Sequence, residues 1–110
     1  MRFPRGDLTK HKEVCPVIAT INILGKKWHI AIVHFLLDKP RGFNEFKRNL
    51  GAISSKTLSK CLKEMVEQGI VKRKVHSSPI RVEYSLTQKG EDLRELENVL
   101  RRWGEKWLLH

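Results

Sequence analysis

The segment from Ser54 to Leu86 most constrains the fold, because a helical pattern is followed directly by a hairpin pattern. Ser54 is a favourable N-cap residue, and the apolar residues after it have the spacing of one helical face: Leu58, Cys61, Leu62, Met65 and Val66. Gly69 is typical of a residue that ends a helix. Residues 70–76 and 81–86 then predict two short strands, joined by a turn at Ser77, Ser78 and Pro79.

Three helices are predicted before this segment, over residues 16–24, 28–38 and 43–50. Apolar residues recur at helical spacing in each of them, and the three helices are bounded by Gly25, Pro40 and Gly51. A last helix is predicted from Thr87, as its N-cap, to Trp107, with a weak point at a glycine in its first turn, Gly90.

This order of elements is that of a winged helix-turn-helix domain. The sequence therefore predicts an α+β, mostly helical fold with an added N-terminal helix and a long C-terminal dimerisation helix. At 110 residues the chain is expected to form a single domain, residues 1–110. Within it we expect an N-terminal arm (1–14), a winged-helix region (15–92) and the end of the dimerisation helix (93–110).

The charge of the chain indicates a polyanionic partner. The 22 basic and 12 acidic residues give a net charge of +10, which points first to nucleic acid. A basic surface kept for solubility, or one that binds an anionic membrane, would give the same balance. The longest apolar runs are too short to span a membrane, and the N-terminus lacks the apolar core of a secretion signal. We therefore expect a cytoplasmic protein, and its two cysteines make no disulfide framework.

The candidate DNA-binding helix is the one that follows Ser54. At about 100° per residue, Lys56, Lys60 and Lys63 point directly away from the apolar face. A helix-turn-helix inserts its second helix into the major groove by its N-terminal end. The candidate DNA-binding residues of this helix are Ser54, Ser55, Lys56, Thr57, Ser59, Lys60 and Lys63. Taken singly, each lysine is better explained as part of an ordinary solvated helix face.

The hairpin adds two candidate DNA-binding residues, Arg73 and Arg81. Arg81 lies at the rim of the turn, where an arginine can enter the minor groove or bind a phosphate. The neighbouring Lys72 and Lys74 are as readily explained by protection against edge-to-edge strand pairing.

The last helix has an apolar seam suited to pairing with a second helix. Residues at intervals of 3, 4, 3 and 4 are apolar, and Val99 widens the seam: Leu93, Leu96, Leu100, Trp103 and Trp107. The pattern predicts a homodimer joined mainly by this helix. The alternative is that the seam packs only on its own domain.

An ordered series of short motifs resembles the HxlR-type winged-helix transcriptional regulators, which are relatives of the MarR regulators. It consists of Cys15-Pro16-Val17, Gly25-Lys26-Lys27-Trp28, Arg41-Gly42-Phe43-Asn44-Glu45-Phe46, Ile53-Ser54-Ser55-Lys56-Thr57-Leu58, Gly69-Ile70-Val71-Lys72-Arg73 and Arg81-Val82-Glu83-Tyr84-Ser85-Leu86-Thr87. The resemblance extends from Cys15 to about Trp103. Compared with the usual pattern, Lys26 replaces a glycine, Ile80 a proline and Cys61 a basic residue, and the hairpin tip is about one residue shorter.

The resemblance implies a homodimer whose terminal helices form the interface and whose two reading helices lie in successive major grooves of double-stranded DNA. It favours repression over activation. It also implies, for some members, sensing of oxidants or electrophiles through the cysteine that matches Cys15. The basic residues Lys10, Lys12, Lys26 and Lys27, together with the start of a helix at Pro16, would favour the reactive thiolate. Cys61, on an apolar helix face, is expected to be inert.

Other classes of function have less support in the sequence. We expect no enzyme, cofactor or metal site, since the five histidines form no HExxH motif and the chain has no glycine-rich phosphate loop. His11 and Cys15 are four residues apart, but Pro16 disfavours the helical geometry that a shared metal would need. Few aromatic residues are left to stack on RNA bases. A non-specific architectural DNA-binding protein, and a basic adaptor that binds a partner through its terminal helix, remain alternatives. No small-molecule effector can be named.

Overall fold

The computed structural model describes residues 15–109, which form six helices and a two-stranded sheet. The predicted N-terminal arm (1–14) and His110 lie outside the described residues. In chain order the elements are α1 (Pro16–Leu24), α2 (Lys27–Asp38), α3 (Phe43–Leu50), α4 (Ser55–Glu67), β1 (Val71–Ser77), β2 (Ile80–Leu86), α5 (Gln88–Glu91) and α6 (Arg94–Trp107). The predicted mostly helical fold with a hairpin wing is confirmed. Within residues 15–109, no helix is both long enough and apolar enough to cross a bilayer.

The turn between α3 and α4 is fixed by local signals. Gly51 has a φ of 61°, a left-handed backbone conformation that favours glycine. The Ser54 side chain then caps α4, accepting a hydrogen bond of 3.1 Å from the backbone N–H of Thr57. Together these two features start α4 at Ser55, in agreement with the sequence.

The prediction of one continuous last helix is wrong. Thr87 caps only the short α5, and α6 begins at Arg94 after a bend at Asp92 and Leu93. Gly90 is not a weak point but a site of close packing, because an added Cβ would overlap the carbonyl oxygen of Ile70 and lie 2.8 Å from Leu86 Cδ2. This packing holds α5 against the base of the hairpin, and the bend then lets α6 cross to α2.

The core lies between α2, α4 and the base of the hairpin. Its largest fully buried side chains come from these elements and from α3: Phe46, Ile32, Leu58, Leu62, Met65, His29, Val33 and Val71. Because the apolar face of α4 is buried here, its opposite face must point to solvent.

A polar contact connects α6 to α2. Glu97 of α6 is 8% exposed, and its Oε1 accepts hydrogen bonds from His34 Nδ1 at 2.7 Å and from an Arg101 guanidinium N–H at 2.6 Å. Two donors satisfy a carboxylate that would otherwise be costly to bury. The C-terminal helix is therefore attached to the winged-helix core by a polar contact as well as by Leu93 and Leu96.

The register of the hairpin places its side chains on two faces. One face includes the pairs Arg73–Tyr84 and Val75–Val82, and the other includes the pairs Lys74–Glu83 and His76–Arg81. Arg41 also pairs with Tyr84 as an isolated bridge, so β2 is bonded on both of its edges at this point.

Candidate nucleic-acid interface

The outer face of α4 presents the three lysines to solvent. Lys56, Lys60 and Lys63 are exposed, as are Ser55 and Ser59 between them. The opposite face is buried, through Leu58, Cys61, Leu62 and Met65. A rigid helix thus separates a packed face from a cationic face, as the sequence predicted.

Ser54 and Thr57 have a structural role at the start of α4. Besides accepting the Thr57 N–H, the Ser54 hydroxyl donates to Thr57 Oγ1 at 2.9 Å. The Ser54 proton is therefore occupied, whereas the exposed Ser55 and Ser59 take no part in this cap. Of the small polar residues predicted to bind DNA, Ser55 and Ser59 are exposed and lie outside this cap.

A groove of about 350 Å³ lies between α4 and the hairpin. It is lined by Ser59, Leu62, Lys63, Val66, Glu67, Arg73 and Tyr84. The structure therefore brings Arg73 to the same groove as Ser59 and Lys63. Lys56 and Lys60 lie outside this groove, on the remainder of the exposed face.

Arg81 occupies a different place. It lines a recess of about 370 Å³ with Val82 and Glu83 and with the residues that begin α3, from Gly42 to Glu45. Ile80 precedes it and is 84% exposed. Near it on the same hairpin face, His76 Nε2 lies 3.3 Å from Glu83 Oε1. The two arginines predicted together thus belong to separate parts of the surface.

Tyr84 is a groove residue that the sequence analysis missed. The alternation of β2 marks it as a core position, and its ring does contact Phe46 edge-on at 6.4 Å between centroids. It is nevertheless partly exposed and lines the groove beside Arg73. Its place in the groove follows from the packing of the hairpin beside α4, a contact between distant segments that the alternation of β2 does not reveal.

An ionic cluster joins α4 to the beginning of α2. Lys26 Nζ donates to Glu64 Oε2 at 2.9 Å, and His29 Nε2 lies 3.2 Å from the same oxygen. The hydrogen bond from Lys26 holds the pKa of Glu64 below its ordinary value, and the Glu64 carboxylate raises the pKa of Lys26. Burial raises the pKa of the nearby Cys61 thiol, which favours its unreactive protonated form.

The predicted dimerisation residues divide into two groups. Leu93 and Leu96 are partly buried against the core of their own domain. The others are exposed: Val99, Leu100, Trp103 and Trp107, with both tryptophans 58% exposed. Leu96 and Leu100 also border an apolar groove of about 600 Å³, whose other wall includes Val17 and Ile21 of α1.

Cys15 is partly exposed and precedes α1, but its side chain makes no capping hydrogen bond. The predicted help from Lys26 and Lys27 is not supported by the geometry. Both lie beyond the far end of α1, where Lys26 pairs with Glu64 and Lys27 lies over the Trp28 ring. The other two predicted neighbours, Lys10 and Lys12, are outside the described residues.

Comparison with known proteins places this geometry in a family. The model of the HxlR-like helix-turn-helix family matches residues 23–110. The chain is 38% identical to an HTH-type transcriptional regulator of Bacillus subtilis, YybR, over 92% of this chain and 82% of that protein. The reduced form of the B. subtilis transcriptional regulator YodB is 34% identical, with a TM-score of 0.76 over 86% of this chain and 95% of YodB. YodB has also been solved in quinone-bound and diamide-treated forms.

Another similar structure, a MarR-family regulator of Porphyromonas gingivalis, is 32% identical. Its TM-score is 0.82, over 89% of this chain and 97% of that one. The family match over residues 23–110 includes the helix-turn-helix, the hairpin and α6. Because the family model covers most of the chain, this protein belongs to the HxlR-like helix-turn-helix family of transcriptional regulators.

Proposed function

We propose that this protein is a homodimeric transcriptional repressor that binds a two-fold operator. The single domain 1–110 would insert α4 into the major groove and use the hairpin as its wing. The observation that carries this proposal is the exposed lysine face of α4, which lies opposite a face buried through Leu58, Cys61, Leu62 and Met65. A cationic helix face on a rigid support is what a helix-turn-helix needs for groove binding.

The predicted DNA-binding residues would have different roles. Lysine is a flexible point charge, so Lys60 and Lys63 would bind mainly phosphates, and Arg73 would join Lys63 from across the groove. Ser55, Lys56 and Ser59 would face base edges. Ser54 and Thr57 would keep the N-terminal end of α4 ordered, and Arg81 would contact the flanking minor groove.

The exposed apolar residues of α6 support a dimer. A soluble monomer seldom exposes two tryptophans and a leucine along one helix seam beside an apolar groove. A second copy of this chain, related by two-fold symmetry, would cover both the seam and the groove. The two α4 helices would then lie in major grooves about 34 to 36 Å apart.

The proposal also includes sensing of an oxidant or electrophile through Cys15. The support is the partial exposure of this thiol and the similarity to YodB, for which quinone-bound and diamide-treated structures exist. With a peroxide, the thiolate sulfur would attack one peroxide oxygen and become a sulfenic acid as the O–O bond breaks, and the other oxygen would take up a proton and leave as an alcohol or, from hydrogen peroxide, as water. With a quinone, the thiolate would add to a ring carbon, forming a C–S bond as the C=C π bond breaks, and the displaced electron pair would move to the carbonyl oxygen, which takes up a proton.

The decisive test is the ratio of two affinities at physiological salt. Operator fragments would be selected from genomic DNA, and binding to them would be compared with binding to bulk DNA. A ratio of roughly 10³ or more is expected for a regulator, whereas an architectural protein would show little preference.

A triple variant tests the assignment of α4. Lys56→Ala, Lys60→Ala and Lys63→Ala together should reduce operator affinity and flatten the slope of log affinity against log salt, by about 0.9 for each phosphate that is no longer neutralised. Lys39→Ala is the control variant. It removes one positive charge outside α4, because Lys39 is exposed at the end of α2. If a folded, dimeric triple variant keeps the wild-type slope, α4 is not the reading helix. Transcription from an operator-bearing template separates repression from activation.

A further inference from the structure

Ile80 is a large apolar side chain at the tip of the hairpin, almost free of the rest of the described chain. It is 84% exposed and begins β2 directly after the turn at Ser78 and Pro79. Val75, on the same face of the hairpin, is 55% exposed. The outer part of the wing therefore presents an apolar surface to its surroundings.

Ile80 is on the hairpin face that borders α4. Residue pairs two positions apart in a ladder share a face, so Arg73–Tyr84 and Ser77–Ile80 lie on the same side. The first pair lines the groove with α4, and the second is four residues nearer the tip, roughly 14 Å away at the rise of an antiparallel strand. The major groove of B-DNA is about 12 Å wide. With α4 in a major groove, the tip therefore reaches past the edge of that groove to the adjoining minor groove.

The surroundings of Ile80 favour an anionic partner. Residues 70–82 include four basic residues and no acidic one: Lys72, Lys74, Arg73 and Arg81. A second wing would bring the same positive charge. The apolar surface of Ile80 and Val75 is also small compared with the roughly 800 Å² that each partner contributes to a stable protein interface. DNA suits both features, because its phosphates attract the basic residues and its minor groove gives access to base steps between which an isoleucine can insert.

We propose that Ile80 is an apolar wedge that enters the minor groove flanking the operator, partly unstacks one base step and bends the DNA. This rests on the proposed function, in which α4 occupies the adjacent major groove. The tip is narrow, since serine and proline precede Ile80, which suits a minor groove about 6 Å wide. Arg81 lies on the opposite face, so the wedge adds to the contact proposed for Arg81. Because pyrimidine–purine steps are the most easily unstacked, the wedge favours operators that carry such a step at this position.

The first measurement separates an apolar contact from a charged one. Ile80→Ser should lower operator affinity by about tenfold for each wing that inserts, the loss expected when an aliphatic side chain is no longer buried. The slope of log affinity against log salt should stay the same, because no phosphate contact is removed. Ile80→Leu keeps a similar apolar volume and is the matched control, which should bind as the wild type does. An Ile80→Ser protein with wild-type affinity would overturn the proposal.

The second measurement is the shape of the bound DNA. Energy transfer between dyes at the two ends of an operator duplex should report a bend with the wild type and Ile80→Leu, and a straighter duplex with Ile80→Ser. Changing the flanking step from T–A to the stiffer A–A should weaken binding of the wild type by about tenfold and leave Ile80→Ser unaffected. If the wild type and Ile80→Ser bend the DNA equally, or respond equally to the changed step, Ile80 is not a wedge.

Failure of the wedge and failure of the proposed function give different results. Because Ile80 is 84% exposed, serine should leave the fold intact, and circular dichroism checks this. If Ile80→Ser keeps the operator preference, affinity and bend of the wild type, the wedge is refuted and the proposed function stands. If sedimentation shows that Ile80→Ser changes the mass of the protein while DNA binding is unchanged, the tip is a contact between copies instead. A wild-type protein without any operator preference would refute the proposed function and, with it, the wedge.

Discussion

Arg73 and Arg81 belong to the same hairpin but lie on its opposite faces. Arg73 pairs with Tyr84 and borders the groove with α4, whereas Arg81 pairs with His76 and borders the recess at the start of α3. The two arginines of the wing therefore border different parts of the surface. Under the proposed function, we expect them to contribute to DNA binding in two different ways.

Arg73→Ala should weaken binding to every DNA sequence and flatten the salt slope by about 0.9 per protomer, because Arg73 would act with Lys63 on phosphates. Arg81→Ala should instead alter the preference for A·T pairs flanking the operator, since narrow A·T minor grooves attract arginine, with a cost of about 1–3 kcal/mol per affected position. Titrations of operator variants at several salt concentrations measure both effects. If both variants lose the same affinity on all DNA sequences, Arg73 and Arg81 do not have the separate roles expected here.

We predict that a charged side chain in the exposed part of the α6 seam prevents dimer formation. Leu100→Asp should convert a dimer to a monomer, because it would place an unpaired carboxylate in the apolar interface. Ile80→Asp is the matched control, since Ile80 is an exposed apolar residue at the hairpin tip. Sedimentation at micromolar concentration gives the mass of each variant. A Leu100→Asp protein that keeps the dimer mass would show that the seam is not the interface.

Elements with local signals could be predicted from the sequence. The cap at Ser54 and the alternation of the strands agree with the tertiary packing, so α4 begins after Ser54 as predicted. The strands lie within one residue of the predicted ranges, because Ser77 and Ile80, expected in or beside the turn, pair with each other. The bend before α6 could not be predicted, because the apolar seam continues through Leu93, and the close approach of Gly90 to Ile70 joins segments that are separate in sequence. The approach of His29 to Glu64 is likewise a product of packing between distant segments.

The close packing at Gly90 makes it sensitive to the smallest substitution. Gly90→Ala should destabilise the fold by about 1–3 kcal/mol, because the added methyl group meets backbone that cannot move freely. Gly104 is the matched control, as a glycine of α6 whose added Cβ would meet no atom within 4 Å. Gly104→Ala should raise helix stability by about 0.5–1 kcal/mol. The free energy of unfolding of both variants is measured by urea titration. A Gly90→Ala protein as stable as the wild type would rule out the steric explanation.

The two thiols should differ in reactivity. Cys61 is 7% exposed and its pKa is raised by burial, whereas Cys15 is partly exposed before α1. A maleimide should therefore label Cys15 first, and Cys61 only on unfolding, as followed by peptide mass spectrometry. Diamide treatment should change operator affinity in the wild type but not in Cys15→Ser. Unchanged wild-type affinity after treatment would mean that Cys15 is structural.

The Lys26–Glu64 pair predicts a pH dependence of folding stability on the acid side. The pKa of Glu64 is lowered in the folded state by the Lys26 hydrogen bond, so the folded protein binds the proton less readily than the unfolded chain. The stabilisation is complete above the unfolded-chain pKa of glutamate, about 4.3, and is lost as the pH falls through the lower folded pKa. Lys26→Met should remove part of this acid sensitivity in urea titrations, whereas Lys39→Met, which removes an exposed charge, should retain it. Identical acid profiles for the Lys26→Met variant and the wild type would show that the pair does not contribute to stability.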